Sequence, residues 1–410
     1  MLTPGQVISL DVEKPVAGGR MIARVDGRVV LVSGAIPGER VTARVERLGK
    51  GVAYAETVGT DAPSPDRRAV SSDPACGGCL YAHIKYDRQL QIKGLVIADA
   101  FTRIGRLPLA APVAVRPSPE DGYRMRARLH VRGGRIGFFR EATHELCDAR
   151  ATRQLLPATC DVLDRLEAGL RSLGVDGAAE LELSENVDAS ERVVQFDAPE
   201  MDRRALEQLA AVDGLSPAPY VSDTFVFARD ASIRLRRHVL AFFQGNRFLL
   251  GDLMSHVAAL VPESATVVDL YAGVGLFSAV AAALRSARVT AVEGDRVAAD
   301  DLAVNAAAFG SAVRAVHQAV EAFVAARPHG VDVVIVDPPR TGMSRESLDG
   351  ALRIGAPRIV YVSCDVATLA RDARRIVDAG YRVARADAFD LFPNTPHVET
   401  VIVFDRPEPA

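Results

Sequence analysis

The run Val267-Val268-Asp269-Leu270-Tyr271-Ala272-Gly273-Val274-Gly275-Leu276-Phe277-Ser278 decides the fold. It begins as an apolar strand without alternation, as expected when both faces are buried, and a Gly-x-Gly turn then opens a helical pattern. Glycines at that place let backbone approach a ligand at a helix N-terminus. Ser278 stands where a dinucleotide site carries its third glycine, and Asp269 precedes the turn. That arrangement suits a methionine moiety and an adenosine better than a pyrophosphate. Outward from this run, apolar strands are predicted at Thr266 to Tyr271, Arg288 to Glu293, Val331 to Asp337, Arg358 to Cys364 and Val398 to Phe404, with helical patterns between them. Such alternation marks a doubly wound α/β sheet, whose chemistry sits at the carboxyl ends of its strands.

Each of those ends carries a group with a chemical use. Glu293 closes the second strand, where a carboxylate can accept both hydroxyls of a ribose, so Gly273, Gly275 and Glu293 together read as a nucleoside-cofactor site. Asp337-Pro338-Pro339-Arg340 forms a rigid turn after the third. Enzymes that methylate exocyclic amines carry an aromatic where Arg340 stands, which speaks against that chemistry. Cys364 closes the next strand, and a thiolate there can add to carbon 6 of a uracil, turning carbon 5 into a nucleophile. Carbon 5 must then lose its proton, so a base is needed nearby. Glu399 opens the final strand on the face opposite Val398, and His397 is a second candidate. The plainer alternatives are a buried structural cysteine and a surface glutamate.

Toward the N-terminus the pattern changes. The chain has 410 residues, 49% of them hydrophobic, enough for more than one core. Short β-branched runs from Gly5 to about Val58, punctuated by Gly and Pro, predict a small all-β barrel. Residues 1 to 60 hold eight Lys/Arg and six Asp/Glu, a mild basic bias. Asp61 to Asp66 reads as a linker, and Tyr86 to Leu107 as one long amphipathic helix. From about 115 to 235 short strands and helices mix. Within that stretch, residues 121 to 153 hold eight arginines against four acids, with Tyr123, Phe138 and Phe139 interleaved, the best local candidate for an RNA surface. A net charge of −3 names no partner by itself. Five cysteines, an odd number, argue against a disulfide framework and for a reducing compartment. The longest apolar stretch, Thr266 to Leu284, is broken by Asp269 and glycines, and Met-Leu-Thr-Pro-Gly is no secretory leader, so a cytoplasmic chain without a membrane span is expected.

Several of these segments resemble the bacterial RNA uracil-5 methyltransferase family. Ser363-Cys364-Asp365 with Thr368 to Asp372 is similar to its nucleophile motif, and Asp390-Leu391-Phe392-Pro393 through His397-Val398-Glu399 to its base motif. Phe242-Phe243-Gln244-Gly245-Asn246 resembles the approach to its catalytic domain, and Gly122-Tyr123-Arg124 an RNA-facing motif of its central domain. Ile36 to Val41 resembles the TRAM domain, an RNA-binding β-barrel. The resemblance implies S-adenosyl-L-methionine as methyl donor, with Gln244, Tyr271, Glu293 and Asp337 touching it, and a tRNA or rRNA substrate; a monomer is expected. It also implies a seven-stranded Rossmann-like sheet and a discontinuous catalytic domain. The expected division is a TRAM-like barrel over 1–60, a central α+β domain over 61–85 and 115–240, and the methyltransferase domain over 86–114 and 241–410.

The departures are equally specific. Cys76-Gly77-Gly78-Cys79 resembles two ligands of the family's iron-sulfur site, but Val70 stands where relatives carry another cysteine, and the fourth ligand would fall near Ala151 or Thr152. Cys147 or Cys160 could stand in, and His83 could complete a zinc site with Cys76 and Cys79. An intact cluster is not expected, and Cys76 and Cys79 read as its remnants. Val366 replaces a proline common in relatives. The competing functions are cytosine-5 methylation of RNA, whose enzymes carry Pro-Cys where this chain has Asp-Pro-Pro, and an RNA-binding protein or chaperone without turnover.

Overall fold

Five strands whose inward residues alternate with exposed ones close on themselves near the N-terminus. They are β1 (Val7–Pro15), β2 (Met21–Val25), β3 (Arg28–Ser33), β4 (Arg40–Leu48) and β5 (Val52–Ala62), in the order β1-β2-β3-β5-β4. Leu10, Val12, Met21, Val30, Val32, Val41 and Ala53 fill the interior. The structure, a computed structural model, describes residues 2–70, 72–175, 177–198, 201–227 and 231–407. Glu39, fully buried, fastens the barrel to the following segment, accepting from Ile36 N at 2.8 Å, Ser64 N at 3.0 Å and Arg67 Nε at 2.7 Å.

Next comes helix α1 (Tyr86–Ala100). The single helix expected to Leu107 is shorter: a π-turn, Phe101–Gly105, takes over, and Arg106 at φ +53° ends it. Strand β6 is only Val115–Arg116. Then β7 (Arg126–Arg132), β8 (Arg135–Phe139), β9 (Leu146–Asp148), helix α2 (Pro157–Ser172), β10 (Ala179–Glu185), β11 (Arg192–Asp197) and helix α3 (Arg203–Ala210) build a five-stranded sheet, order β11-β10-β7-β8-β9, with its helices. The ribbon β12 (Tyr220–Val226) and β13 (Ser232–His238) follows.

The arginine-rich window of this region is less of a free basic surface than its charge count implied. Arg126 and Arg128 pair with Glu182, Arg150 with Asp161 and Asp164, Arg140 with Asp73 and Glu145, and Arg153 with Asp121. Arg124 donates to Gln154 Oε1 at 2.7 Å. Most of those acids lie outside the window, so counting charge over contiguous residues misses them. Deeper in, Glu185 accepts from Arg192, Arg247 and Thr159, while Asp223 takes Arg237 Nε at 2.7 Å and Val187 N at 2.8 Å. This buried network joins the five-stranded sheet to the ribbon and to the start of the large sheet.

That large sheet has eight strands in the order β16-β15-β14-β17-β18-β20-β19-β6. Its elements are α4 (Leu250–Ala259), β14 (Thr266–Leu270), α5 (Leu276–Arg285), β15 (Arg288–Glu293), α6 (Arg296–Ala307), β16 (Val313–His317), α7 (Val320–Ala325), β17 (Val333–Val336), α8 (Arg345–Ile354), β18 (Arg358–Ser363), α9 (Val366–Asp378), β19 (Arg382–Phe389) and β20 (Glu399–Asp405). Seven strands were expected, and the two-residue β6 adds an eighth beside β19. Alternate residues feed two cores. Val268, Val334, Ile359 and Ile402 pack under α1, α8 and α9, whereas Val267, Val333, Val360 and Val401 pack under α4, α5 and α6. Burial on both faces explains the unbroken apolar runs. At the N-terminus of α9, Asp365 caps by accepting from Ala367 N and Thr368 N. Val366 occupies the first helical position, where proline is favoured but not required.

Candidate active site

The carboxyl ends of β14, β15, β17 and β18 meet where the strand order reverses, the usual crevice of such sheets. After β14, Tyr271 at φ +62° leads into Gly273 at φ +56° and Gly275 at φ +95°, and Gly275 precedes α5. A Cβ on Gly275 would lie 2.8 Å from Leu302 Cδ1, so this turn needs glycine for both conformation and space. Glu293 Oε2 accepts from Gly273 N at 2.8 Å and its Oε1 from Asp295 N at 2.6 Å, tying the glycine turn to the end of β15. Asp269 bonds Ser278 Oγ at 2.6 Å, which explains the serine in the third glycine's place, while Asp269 Oδ1 finds no partner among the described residues. Burial pushes Asp269 up to about 7. Gln244 Nε2 donates to Asp337 Oδ2 at 3.2 Å. The expected cofactor groups therefore gather at the carboxyl ends of β14, β15 and β17, with Gln244 joined to them through Asp337.

One strand over, β18 and β20 run antiparallel with Ser363 opposite Thr400, so their next residues, Cys364 and Glu399, face each other at the strand end. Cys364 is half-buried. Glu399 is buried, and neither of its oxygens has a hydrogen-bond partner among the described residues. An unanswered buried carboxylate is costly in its charged form. Accordingly, burial first and then the nearby Asp337 hold Glu399 well above the usual range. Asp337, at the end of β17, is raised to about 7 by burial and by Asp269. Burial pushes the Cys364 thiol up to about 12, Glu399 adds to that, and Arg340 pulls the other way. His397, the second base candidate, is pushed down to about 4, chiefly by burial and then by Arg340. It is therefore a weak base, packed edge-on to Phe392.

Two features escaped the sequence reading. Arg340, which the sequence offers only as a missing aromatic, bonds the Cys364 thiol and favours its thiolate. Phe242 stands 62% exposed beside the buried Phe243 and Gln244, an apolar ring left open next to the crevice.

Comparison with known proteins settles the family. A tRNA (Uracil-5-)-methyltransferase family model matches residues 218–407, and a TRAM domain model matches residues 2–58. The chain is 32% identical over 432 residues to the 23S rRNA (uracil(1939)-C(5))-methyltransferase RlmD of Pseudomonas putida, covering 98% of this chain and 94% of that one. The chain belongs to the RNA uracil-5 methyltransferase family. As a member, it is an S-adenosylmethionine-dependent RNA (uracil-C5) methyltransferase with an N-terminal TRAM domain. It is also 30% identical over 412 residues to an RNA methyltransferase of Corynebacterium glutamicum, with 99% and 98% coverage. The solved tRNA (uracil-54, C5)-methyltransferase of Pyrococcus abyssi, in complex with S-adenosyl-L-homocysteine, shares the fold at a TM-score of 0.74 and 24% identity, over 96% of this chain and 99% of that one.

The iron-sulfur site implied by the resemblance does not fit these residues. Contrary to the expectation of independent thiols, Cys76 and Cys147 form a disulfide. Ala151 and Thr152, where a fourth ligand would fall, line a cavity of about 310 Å³ beside it. Cys79 and Cys160 are buried free thiols. His83 faces Ala35 O of the barrel at 3.4 Å. Among the described residues no three metal-ligating side chains converge. Nor, among the described residues, is any helix long and apolar enough to cross a membrane.

Proposed function

We propose that this methyltransferase modifies its uridine through a covalent Cys364 adduct, with Glu399 as general base. The observation that carries the reading is the facing pair at the ends of β18 and β20, where a thiol meets a buried carboxylate that accepts no hydrogen bond among the described residues. Gly273 and Gly275 keep side chains out of the turn after β14, Glu293 holds that turn through Gly273 N, and Asp337, bonded by Gln244, ends the neighbouring strand on the side of the thiol; with Tyr271 these residues would hold S-adenosylmethionine. Bound there, it supplies an electrophilic methyl group. The target uridine must leave its stack to reach the crevice, and the open ring of Phe242 gives an apolar face for an unstacked base. The Cys364 sulfur bonds carbon 6 and electron density shifts to carbon 5. Arg340 favours the thiolate needed for that addition. Carbon 5 then bonds the methyl carbon as its bond to the sulfonium sulfur breaks, leaving S-adenosylhomocysteine; Glu399 removes the carbon 5 proton, the double bond between carbons 5 and 6 re-forms, and the Cys364 sulfur leaves. Asp337 is placed to hold the ring or to orient the thiol.

In this reading the chain divides as a barrel over 1–60, a central unit over 61–85 and 115–240, and a discontinuous catalytic unit over 86–114 and 241–410. Barrel and central unit grip the RNA, and the protein works as a cytoplasmic monomer. Its relatives at 32% identity are named for 23S rRNA, which makes ribosomal RNA the first substrate to test and tRNA the second. The test is nucleoside mass spectrometry after incubating separate rRNA and tRNA fractions, unmodified at their uridines, with isotope-labelled S-adenosylmethionine. Label in 5-methyluridine of one fraction names the RNA class. Label in 5-methylcytidine, or none, overturns the reading.

A further inference from the structure

Glu399 sits at the end of a segment, Asp390 to Val398, that residues from every part of the molecule hold in place. From α1, Lys93 Nζ reaches the Asp390 carboxylate and donates to Phe392 O at 3.0 Å. One turn earlier, Gln89 Nε2 donates to Asn394 Oδ1 at 2.9 Å and Gln89 Oε1 accepts from Asn394 N at 3.0 Å. Arg68 Nη2 donates to Asn394 Oδ1 at 2.7 Å, and Tyr81 N to Asn394 O at 2.8 Å. Asn246, two residues after Gln244, donates to Leu391 O at 3.1 Å. Tyr123 OH lies 3.4 Å from Pro393 O, and Gly19 of the barrel packs so closely on Pro396 that a Cβ there would lie 2.9 Å from Pro396 Cγ.

The ion pair is the least expected of these contacts. Both side chains are fully buried, and they are 297 residues apart in sequence. A buried pair contributes little net stability, since desolvation offsets the attraction, yet it fixes geometry firmly. We propose that Lys93 is a positioning residue for methyl transfer: its ammonium, shared between Asp390 and Phe392 O, sets the Asp390–Val398 segment and so aims the Glu399 carboxylate at carbon 5. This rests on Glu399 being the base. Misaiming a base should slow proton removal more than sulfur addition, because Cys364 follows β18, which is held by β17 as well as by β20.

The experiment compares Lys93→Met, the double variant Lys93→Met/Asp390→Asn, Glu399→Gln and the unaltered full-length chain, using the RNA fraction that accepts label. The double variant leaves no buried unpaired charge and guards against the single one failing to fold. Both Lys93 variants are expected to bind S-adenosylhomocysteine with unchanged affinity and to turn over about 100-fold more slowly, as misplacement by about 1 Å does. Both should also accumulate a protein-RNA adduct on denaturing gels, as Glu399→Gln does. If Glu399→Gln traps adduct and the Lys93 variants do not, Lys93 plays no part in aiming the base and the proposal falls while the mechanism stands. If turnover and S-adenosylhomocysteine binding are lost together in the double variant, the role is structural only and the proposal also falls. If Glu399→Gln itself traps no adduct, the base assignment falls and takes this inference with it.

Discussion

Glu185, at the end of β10, and Glu399, at the start of β20, are both buried glutamates with at most 1% of their surface exposed, and the fold treats them in opposite ways. Around Glu185 each oxygen accepts from an arginine. Around Glu399 neither oxygen accepts at all among the described residues. The first arrangement ties β10 to β11 and to the segment that leads into α4. The second costs stability and leaves a carboxylate ready to take a proton. Burial therefore does not distinguish structure from chemistry here; what neighbours leave unanswered does.

The contrast can be broken most severely at its reactive end. Cys364→Ala should reduce methyl transfer by at least about 10⁴-fold, since no other thiol lies at that strand end, while S-adenosylhomocysteine affinity stays near that of the unaltered protein. Isothermal calorimetry beside the activity assay checks both halves. In the satisfied cluster, Glu185→Gln leaves Arg192 and Arg247 without a countercharge and should lower unfolding stability by about 3 to 5 kcal/mol, read from urea melts. Arg340→Met removes the cation that favours the thiolate. It should slow transfer roughly 10-fold near pH 7.5 and less near pH 9.5, where thiolate is easier to form, visible as an alkaline shift of the rate profile.

The subtlest effect has the opposite sign from Glu185. Glu399 and Asp337 hold their protons more tightly when folded than when unfolded. The folded state thus binds more protons than the unfolded one once pH exceeds the ordinary carboxylate range, and stability falls as pH rises. For Asp337 that window runs from its ordinary value near 4 to about 7. Glu399→Gln should accordingly raise Tm by a few degrees at pH 8 and flatten its decline from pH 5. A lower Tm would show that the carboxylate has a partner after all.

The reactive end was largely legible in the sequence because its strands are buried on both faces and so read as unbroken apolar runs, each closing on one polar residue. Cys364, Asp337 and Glu293 could be placed at strand ends by counting. What stayed hidden depends on pairs distant in sequence. Cys76 and Cys147, 71 residues apart, look like unrelated thiols until β8 and β9 bring them together. The arginines of 121 to 153 look free until Glu182, Asp161 and Asp164 arrive from outside the window. Strand β6, two residues long, has no periodicity to detect. Lys93 looks like any helical lysine, and only its place on the buried face of α1, between Ile92 and Val96, hinted at a buried partner.

The contact of Gly19 with Pro396 bears on how such enzymes can be recombined. A barrel that touched the catalytic unit only through a linker could be exchanged for another to redirect the enzyme to a different RNA. Here the β1–β2 connection lies directly against the segment that ends in Glu399, and residue 19, at φ +89°, has no room for a side chain. A transplanted barrel would need glycine at that one position, or the chimera would bind its new RNA and methylate it slowly.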